Sequence, residues 1–589
     1  MLTDEQREAV NCAEDLMLSA CPGSGKTRVI VSKLSRTIEE VRNTSRSVAC
    51  ITYTNAAVHE IEARLRLNIQ PGDERYFDIC TIHSFCLNHI FRPFCHLVKG
   101  YKNGFKVLTP DNDVFEKYVS GTLQKFERYE VTFKDIDEFS QLRISADGEA
   151  VGNPIEKGGL TKEIAAEFWK RICADGYIDF ASIIYYSFDL LRGHPQILSY
   201  VASKFAWILV DEFQDTTDLQ VEILTLIAAQ KRSRFLLVGD HLQSIFGFAG
   251  AQPNLAGAFA KKIGARTDIV LSGNFRSSKP ILAHAELLFS RNPPMVALGV
   301  ARKFKELPIY QNGSSPFQLV TDHFLPALAA FNIPVGNAAV LAPTWFSLFP
   351  LGRRLREFGI SIVGPGARPY RRNRYFAPLA EQVCGYLMEP RADAIAGVER
   401  ALFHTVLDVT GRAHFELFSY AGRTIVFKLL AVAKELFEKD EGAISWLEEA
   451  AKQFAQVLVK EGLFTNTEQN IFAMSVEEMK TDMRRNEVDL NNLGIDELGI
   501  YAKPHAALKL SSLHHAKGRE FDAVAMIDLH EGKIPSYYAR TPEEVEEAKR
   551  LFYVGVTRAK RLLYYFTDTS GRRNGPTRFL QKCTGVGVC

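Results

Sequence analysis

A short glycine-bearing segment near the start of the chain has the residue types that bind phosphate. It reads Ala20, Cys21, Pro22, Gly23, Ser24, Gly25, Lys26 and Thr27, with alanine where the usual pattern has its first glycine. An apolar run precedes it and a helical pattern begins at Arg28. Helix N-termini attract anions, and glycines let the backbone come close. Lys26 would therefore reach the terminal phosphates of a nucleoside triphosphate, and the Thr27 hydroxyl would ligate Mg²⁺.

Two further apolar runs end in polar residues that suit the same chemistry. Asp211 and Glu212 follow one of them, and ligands collect at the carboxyl ends of such strands. Asp211 could hold Mg²⁺, and Glu212 could orient and deprotonate an attacking water. Gln243 follows the other run and could contact the γ-phosphate. Phe246 and Phe248 could either stack on bases or belong to the core.

These residues need strands and helices to position them, and both patterns alternate along the chain. The alternation predicts an α/β fold with parallel sheets, in which two α/β domains are each interrupted by a mainly helical insertion. The predicted parts are a first domain at 1–90 and 201–267, its insertion at 91–200, a second domain at 268–375 and 505–589, and a reduced helical insertion at 376–504.

The composition is that of a globular protein of several domains. The chain has 589 residues, of which 46% are hydrophobic and 24% charged. Its formal net charge is only +2, so any surface for nucleic acid must be local. Ten cysteines without paired spacing are typical of a reducing compartment, and no segment approaches the roughly 20 apolar residues of a membrane span. We therefore expect a cytoplasmic protein without a membrane partner.

Nine stretches, taken in chain order, resemble the motifs of the UvrD/Rep/PcrA family of superfamily 1 DNA helicases. They lie at 2–10, 20–27, 51–57, 81–85, 211–215, 238–251, 274–278, 513–521 and 551–559. The stretch Asp211-Glu212-Phe213-Gln214-Asp215 and the stretch Val554-Gly555-Val556-Thr557-Arg558-Ala559 are among the best matches. The resemblance covers nearly the whole chain and implies two RecA-like domains that use ATP and Mg²⁺.

The resemblance implies a role for several residues around the nucleotide. Gln6 would read the adenine edge, Phe275 would stack on adenine, and Arg28 would touch the nucleotide. Glu520 would approach it from the second RecA-like domain. The implied catalytic residues are Lys26, Asp211, Glu212, Gln243 and two arginine fingers from the second domain, Arg276 and Arg558, and the implied magnesium ligands are Thr27 and Asp211.

The resemblance also implies a path for single-stranded DNA across both domains. Its base side would be lined by Tyr53, Phe246 and Phe248, and its backbone side by Thr81, His83 and His514. Alanine or proline replaces the basic residue that is usual in the family at three positions near this path, namely Ala56, Ala249 and Pro343. Trp345 could compensate by stacking on a base, or it could be buried.

Two clusters outside the motifs have alternative interpretations. Arginines and tyrosines alternate at 368–375, and there Arg371 and Arg372 could contact DNA; the other interpretation is a solvated loop. Six residues could hold a metal ion, although they lack a Cys-x-x-Cys pair: Cys80, His83, Cys86, His89, Cys95 and His96.

The sequence thus predicts an ATP-dependent single-stranded DNA translocase and 3′-to-5′ helicase, acting in DNA repair or anti-phage defence. The expected substrate is single-stranded DNA or a 3′-tailed duplex. The compact build resembles the helicase subunit of the Gabija anti-phage system, which would imply an OLD-family nuclease as partner. The alternative is a regulatory subunit that senses nucleotide and DNA and controls a partner nuclease with little unwinding.

Overall fold

The computed structural model divides the chain into two compact units. The structure describes residues 2–70, 72–110, 113–368, 370, 375–410, 414–439, 442–485, 488, 490, 493–502, 504–568 and 575–583. The first unit comprises Met1–Phe304 and Ala539–Tyr553, and the second comprises Lys305–Tyr538 and Val554–Cys589. The first unit thus continues past 267, where the sequence interpretation ends the first domain.

The first unit is built around a parallel sheet. Its strands, including three short pairs outside that sheet, are β1 (Leu16–Ala20), β2 (Ser47–Thr52), β3 (Phe77–Thr81), β4 (Lys106–Val107), β5 (Arg143–Ile144), β6 (Ala150–Val151), β7 (Tyr177–Ile178), β8 (Phe205–Val210), β9 (Arg234–Gly239), β10 (Val270–Leu271), β11 (Gly273–Asn274) and β12 (Val296–Ala297). The six-stranded sheet has the order β10-β1-β9-β8-β2-β3, and its neighbouring strands are all parallel.

The first unit contains a series of helices, many of which pack on one or the other face of this sheet. They are α1 (Asp4–Asn11), α2 (Lys26–Val41), α3 (Asn55–Leu65), α4 (Ile82–Cys86), α5 (Arg92–Phe94), α6 (Asp113–Lys125), α7 (Phe133–Ser140), α8 (Asn153–Glu156), α9 (Lys162–Ala174), α10 (Phe180–Gly193), α11 (Pro195–Lys204), α12 (Asp218–Ala229), α13 (Pro253–Ile263) and α14 (Lys279–Leu288). Ile208 and Val210 of β8 belong to one buried cluster, whereas Trp207 and Leu209 belong to another. This alternation is expected of a strand that is buried on both faces.

The insertion at 91–200 forms part of the first unit. Helices α6 and α9 contribute Phe115, Val119, Phe168 and Ile172 to a separate buried cluster. Two short strand pairs accompany these helices: β4 with β7 is parallel, and β5 with β6 is antiparallel. The sequence of this region predicts only helix and loop, because strands of two residues are too short to give an alternating pattern.

The second unit contains another parallel sheet. Its strands are β13 (Ile309–Gly313), β14 (Ala338–Ala342), β15 (Ile362–Val363), β16 (Leu508–Ser512), β17 (Phe521–Met526) and β18 (Ala559–Asp568). They lie in the order β13-β18-β17-β14-β16-β15, with every neighbouring pair parallel. The predicted α/β class with parallel sheets is therefore confirmed. Strands β3 and β13 are absent from the sequence interpretation, because polar residues interrupt their apolar patterns.

Helices of the second unit include a group with its own core. In chain order they are α15 (Pro316–Leu319), α16 (Leu325–Ala330), α17 (Trp345–Glu357), α18 (Ala377–Met388), α19 (Ala392–Thr410), α20 (Tyr420–Glu438), α21 (Gly442–Lys460), α22 (Ile471–Arg485), α23 (Ile495–Gly499), α24 (Pro542–Val556, assigned to the first unit up to Tyr553) and α25 (Arg578–Cys583). Helices α18 to α23 occupy the stretch predicted as a helical insertion, and all six contribute to one buried cluster. Among the described helices, none combines the length and apolar character needed to cross a membrane.

Candidate functional site

The phosphate-type loop joins β1 to α2 in the first unit, as its sequence predicts. Gly23 and Gly25 have φ values of +67° and +80°, in the left-handed region that favours glycine. Gly25 is the residue that precedes the first turn of α2, and it brings no side chain to cap the helix. The amides at the start of α2 therefore face a position that an anionic group can occupy.

Gln6 supports this loop from behind. Its side-chain Nε2 donates to the Ser24 carbonyl oxygen at 2.7 Å, and its Oε1 accepts from the Thr3 amide at 3.0 Å. Only 1% of Gln6 is exposed. These bonds use one N–H and one lone pair of the amide, which keeps a second of each, and its predicted contact with an adenine edge stays a prediction.

The segment 274–277 braces the other side of the loop, within the first unit. The Phe275 amide donates to the Gly23 carbonyl oxygen at 2.8 Å, and the Asn274 side chain donates to the carbonyl oxygen of Pro22. Asn274 Oδ1 in turn accepts from the amides of Arg276 and Ser277 at 2.8 and 2.7 Å. Arg276 is thereby fixed beside the phosphate-type loop in the first unit, whereas the sequence interpretation places it in the second domain.

An aromatic ring and a guanidinium lie next to this segment. The Phe275 side chain is 37% exposed, and the Arg28 guanidinium carbon lies 5.8 Å from the centre of its ring. A flat, partly exposed ring beside the phosphate-type loop suits a stacked base, and a guanidinium can stack as well. The predicted roles of Phe275 and Arg28 at the nucleotide remain predictions that this placement permits.

Two carboxylates follow β8 beside the loop. Asp211 is buried, and its Oδ1 accepts from the Glu212 amide at 2.9 Å. Lys26 Nζ lies 3.6 Å from Glu212 Oε1. Burial, together with the negative charge of Glu212, raises the pKa of Asp211 to about 7, and Lys26 opposes that rise. A divalent cation would relieve the repulsion between the two carboxylates.

The donor set around the loop fits Mg²⁺. The hydroxyl of Thr27 lies in the first turn of α2, which follows β1. The carboxylate of Asp211 directly follows β8, and β9 lies between β1 and β8 in the sheet. Hydroxyl and carboxylate oxygens are the hard ligands that Mg²⁺ prefers, with water and phosphate completing its shell. Buried Asp211 and half-buried Glu212 carry the negative charge that such an ion would compensate. Thr27 and Asp211 are therefore the residues that would hold it.

A buried polar network that the sequence interpretation missed lies at the end of β9. Arg291 Nη2 donates to both carboxylate oxygens of Asp240 at 2.6 Å. Gln243 Nε2 donates to Asp240 Oδ2 at 2.7 Å, and Arg291 also donates to the Tyr553 hydroxyl at 3.1 and 3.0 Å. Burial opposes ionisation of Asp240, but Arg291 and Lys26 outweigh it and hold the pKa of that carboxyl below its usual value. Gln243 is thus positioned by an ion pair.

The two candidate nucleotide residues of the second unit are engaged within that unit. The Arg558 guanidinium donates to the carbonyl oxygens of Val554 and Arg519 at 3.0 and 3.2 Å, and 1% of the residue is exposed. Glu520 lies 3.1 Å from Lys560 Nζ. The roles of Arg558 and Glu520 at the nucleotide stay predictions.

Three aromatic residues form a cluster beyond the phosphate-type loop in the first unit. Tyr53 stacks on Phe246 with ring centres 5.0 Å apart and an interplanar angle of 23°. Phe246 in turn packs edge-on against Phe248 at 5.9 Å. Tyr53 and Phe248 are partly exposed, so the cluster is a surface feature and not part of the core. Partly exposed rings in this arrangement can stack on bases.

Replacing Tyr53 with alanine is expected to weaken binding of single-stranded DNA by about 1–3 kcal/mol, because the stacking surface is lost. Fluorescence anisotropy with a labelled oligonucleotide measures this change. Tyr53→Phe keeps the ring and should retain the affinity of the unchanged protein. Tyr129→Ala, at an exposed site in the insertion, is the matched control. Equal affinities for Tyr53→Ala and Tyr129→Ala would remove Tyr53 from the DNA path.

The three residues predicted to contact the DNA backbone differ in their charge and in their hydrogen bonds. Burial lowers the pKa of His83 to about 4, and burial with the nearby His515 and Lys517 lowers that of His514 to about 4. Both histidines are therefore neutral at pH 7 and can contact phosphate only through hydrogen bonds. Thr81 caps α4, because its hydroxyl accepts from the Ser84 amide.

Trp345 begins α17 in the second unit and is 39% exposed. Its ring packs edge-on against His515, with ring centres 4.5 Å apart. The residue is therefore not buried, which removes one of its two interpretations. Its predicted stacking on a base stays a prediction.

The basic run and the cysteine-histidine set give different results. Arg371 and Arg372 lie outside the described residues. Arg368 is paired with buried Glu381 at 2.7 and 3.1 Å, and Tyr370 donates to the same carboxylate. Among the described residues, only Asp528, His530 and Asp568 bring three possible metal ligands together, so the set around Cys80 and His83 does not converge on a metal site.

A parallel α/β unit with a phosphate-type loop and carboxylates at neighbouring strand ends defines the class of P-loop nucleotide hydrolases. Residues 2–264 match the model of the UvrD/REP helicase N-terminal domain, and residues 448–569 match that of the UvrD-like helicase C-terminal domain. The chain belongs to the UvrD-like superfamily 1 helicases, which makes it an ATP-hydrolysing DNA helicase.

Similar curated proteins carry consistent names. DNA helicase II of Haemophilus influenzae is 26% identical, and the match covers 98% of this chain and 86% of the relative. ATP-dependent DNA helicase Rep of Salmonella typhimurium is 24% identical over 96% of this chain and 91% of its own length. ATP-dependent DNA helicase PcrA of Bacillus subtilis is 26% identical over 96% and 82%.

Proposed function

We propose that the protein couples ATP hydrolysis to 3′-to-5′ movement along single-stranded DNA. The observation that carries the proposal is the convergence of Lys26, Asp211, Glu212 and Arg276 around one phosphate-type loop. Lys26 would bind the terminal phosphates, and Asp211 with Thr27 would hold Mg²⁺, which supplies charge compensation for the transferring phosphoryl group. Glu212 would orient the attacking water and accept its proton.

Gln243 and the arginines would link hydrolysis to the motor cycle. Gln243, held by Asp240, would sense the γ-phosphate, and loss of that phosphate would alter its contacts. Arg276 and Arg558 would stabilise the developing negative charge. Repeated opening and closing around ATP would then advance DNA over the aromatic cluster of Tyr53, Phe246 and Phe248.

Weak duplex unwinding, with regulation of a partner nuclease, is the second candidate function. It is favoured by the loss of basic residues at Ala56, Ala249 and Pro343 and by the pairing of Arg368 with Glu381. Fewer free cations near the strand mean less counterion release and a weaker grip on the backbone. An OLD-family nuclease would be one such partner, in a role that DNA repair or anti-phage defence could require.

The experiment that separates these functions measures hydrolysis and strand displacement together. ATP hydrolysis is followed with and without single-stranded DNA, and displacement is followed on duplexes with a 3′ or a 5′ tail. A 3′-to-5′ helicase is expected to show DNA-stimulated hydrolysis and displacement of the 3′-tailed duplex alone. Lys26→Ala is the inactive control, and Lys262→Ala, at an exposed lysine on α13, is the matched control.

Three other outcomes would contradict the proposed function in whole or in part. Stimulated hydrolysis without displacement would favour the regulatory alternative. Displacement of the 5′-tailed duplex would reverse the proposed direction. Hydrolysis that DNA does not stimulate would contradict both functions.

A further inference from the structure

Three buried side chains in the second unit meet at the carboxyl ends of neighbouring strands. Asp528 follows β17 by two residues, His530 lies two residues further on, and Asp568 is the last residue of β18. Each is at most 4% exposed. One possible ligand atom from each residue lies within 4.8 Å of the other two. The motor motifs do not include these residues.

His530 provides a second observation, independent of the two carboxylates. Its Nε2 accepts from the Asp568 amide at 3.3 Å and lies 3.4 Å from Asp568 Oδ2. Its Nδ1 is buried and has no hydrogen-bond partner within the described part of the chain. A buried polar atom without a partner is costly, so a buried imidazole with one unpartnered nitrogen and its other nitrogen beside a carboxylate points to a ligand.

We propose that Asp528, His530 and Asp568 bind one divalent transition-metal ion such as Zn²⁺. An imidazole nitrogen with two carboxylate oxygens is a donor set that Zn²⁺ accepts, at about 2.0–2.2 Å from each atom. Ligand atoms at that radius are separated by about 3–4 Å. The three candidate atoms lie within 4.8 Å of one another, and His530 Nε2 lies 3.4 Å from Asp568 Oδ2. The imidazole favours first-row transition metals over Mg²⁺ and Ca²⁺.

The surrounding residues fit the same assignment. Ser347 of α17 donates a hydrogen bond to Asp528 Oδ2, which orients that carboxylate. Lys533 Nζ lies 3.9 Å from the same oxygen, and the Lys533 side chain is partly exposed.

The ion would fasten two adjacent strand ends to each other and to α17. Strands β17 and β18 are hydrogen-bonded neighbours, and Ser347 belongs to the helix that begins at Trp345. A bound metal would therefore stabilise the carboxyl ends of β17 and β18 in the second sheet. This role is structural and is independent of the nucleotide site in the first unit.

Titration of the metal-free protein with Co²⁺, in the absence of nucleotide, tests the proposal. One equivalent is expected to produce visible d–d absorption without thiolate charge-transfer bands, and Zn²⁺ should abolish that absorption by displacement. His530→Gln and Asp568→Asn should lose it. His59→Gln, at a histidine whose side chain is 79% exposed, should keep it. Zn²⁺ should also raise the unfolding temperature of the unchanged protein but not that of His530→Gln.

Other outcomes overturn the proposal. Absence of stoichiometric binding, an unchanged spectrum in His530→Gln, or thiolate charge-transfer bands would each exclude the site. Should His530→Gln and Asp568→Asn fail to fold, Ser347→Ala keeps the test decisive, because loss of an orienting bond typically lowers metal affinity about 10- to 100-fold. Unchanged affinity in Ser347→Ala would contradict the proposed geometry.

Discussion

Arg276→Ala is expected to lower kcat for DNA-stimulated ATP hydrolysis by about 10³- to 10⁵-fold, the contribution of an arginine finger in phosphoryl transfer. A Cβ atom added to Gly23 would lie 2.6 Å from the Cβ of Arg276. The base of the Arg276 side chain is therefore in close contact with the phosphate-type loop. Its backbone is fixed there by Asn274 Oδ1. A guanidinium held at this position needs little reorganisation when charge develops on the phosphoryl group.

The comparison with other variants makes this expectation specific. Arg276→Lys keeps the charge but loses the planar fork, so it should recover only part of kcat. Lys279→Ala removes a nearby exposed charge at the start of α14 and should leave kcat within a few-fold. Steady-state kinetics and nucleotide binding are measured on all three variants. A kcat for Arg276→Ala equal to that of Lys279→Ala would exclude Arg276 from phosphoryl transfer.

Arg558→Ala should behave differently, because Arg558 is buried in its own unit. Its guanidinium satisfies the carbonyl oxygens of Val554 and Arg519, which alanine would leave without these partners. A lower unfolding temperature is therefore expected for Arg558→Ala and not for Arg276→Ala. Thermal unfolding of the two variants distinguishes a structural effect from a catalytic one.

The nucleotide loop and its carboxylates could be predicted from the sequence because their chemistry is local. Apolar runs end directly at Lys26's loop, at Asp211 and at Asp240, and parallel strands deliver their carboxyl ends to one edge. The structure places β1, β9 and β8 as neighbours in that order. Element type followed from periodicity, and the α/β class followed from the alternation of strands and helices.

The partners of those residues could not be predicted, because they depend on tertiary contacts. Nothing in the sequence around Arg291 indicates that it pairs with Asp240, 51 residues earlier. Likewise, the amide of Gln6 could serve a base or a backbone carbonyl, and only the fold directs it to Ser24. Arg368 resembles a DNA contact in sequence, but a buried carboxylate 13 residues later binds it instead.

Arg291→Met is expected to destabilise the protein by about 3–5 kcal/mol at neutral pH, because it leaves the Asp240 charge buried without its partner. It should also lower kcat, since Asp240 holds the Nε2 atom of Gln243. Arg291 is therefore a positioning residue, which acts on Gln243 through Asp240. Urea denaturation measures the stability loss, and ATP hydrolysis under conditions where the variant stays folded measures the loss of kcat.

The loss of stability in Arg291→Met should depend on pH, because the pKa of Asp240 differs between the folded and unfolded states. In the unchanged protein the folded-state pKa of Asp240 is depressed, so the stability that it contributes is present above the unfolded-state pKa and is lost as the pH falls through the folded value. In Arg291→Met, burial without Arg291 should raise the pKa of Asp240. The variant should therefore lose stability as the pH rises, and its deficit should be largest at neutral pH and smaller in mild acid.

The double variant Asp240→Asn/Arg291→Met separates stability from function. Removing the charge along with its partner should recover much of the lost stability, because no buried charge remains unpaired. Hydrolysis should stay low for two reasons. Gln243 no longer donates to a charged carboxylate, and the Tyr553 hydroxyl no longer accepts a hydrogen bond from Arg291. If hydrolysis recovered together with stability, Arg291 would serve only folding. If it did not, the network would act on the position of Gln243, and motor activity would depend on an ion pair between Asp240 and Arg291, of which Arg291 lies outside the motifs.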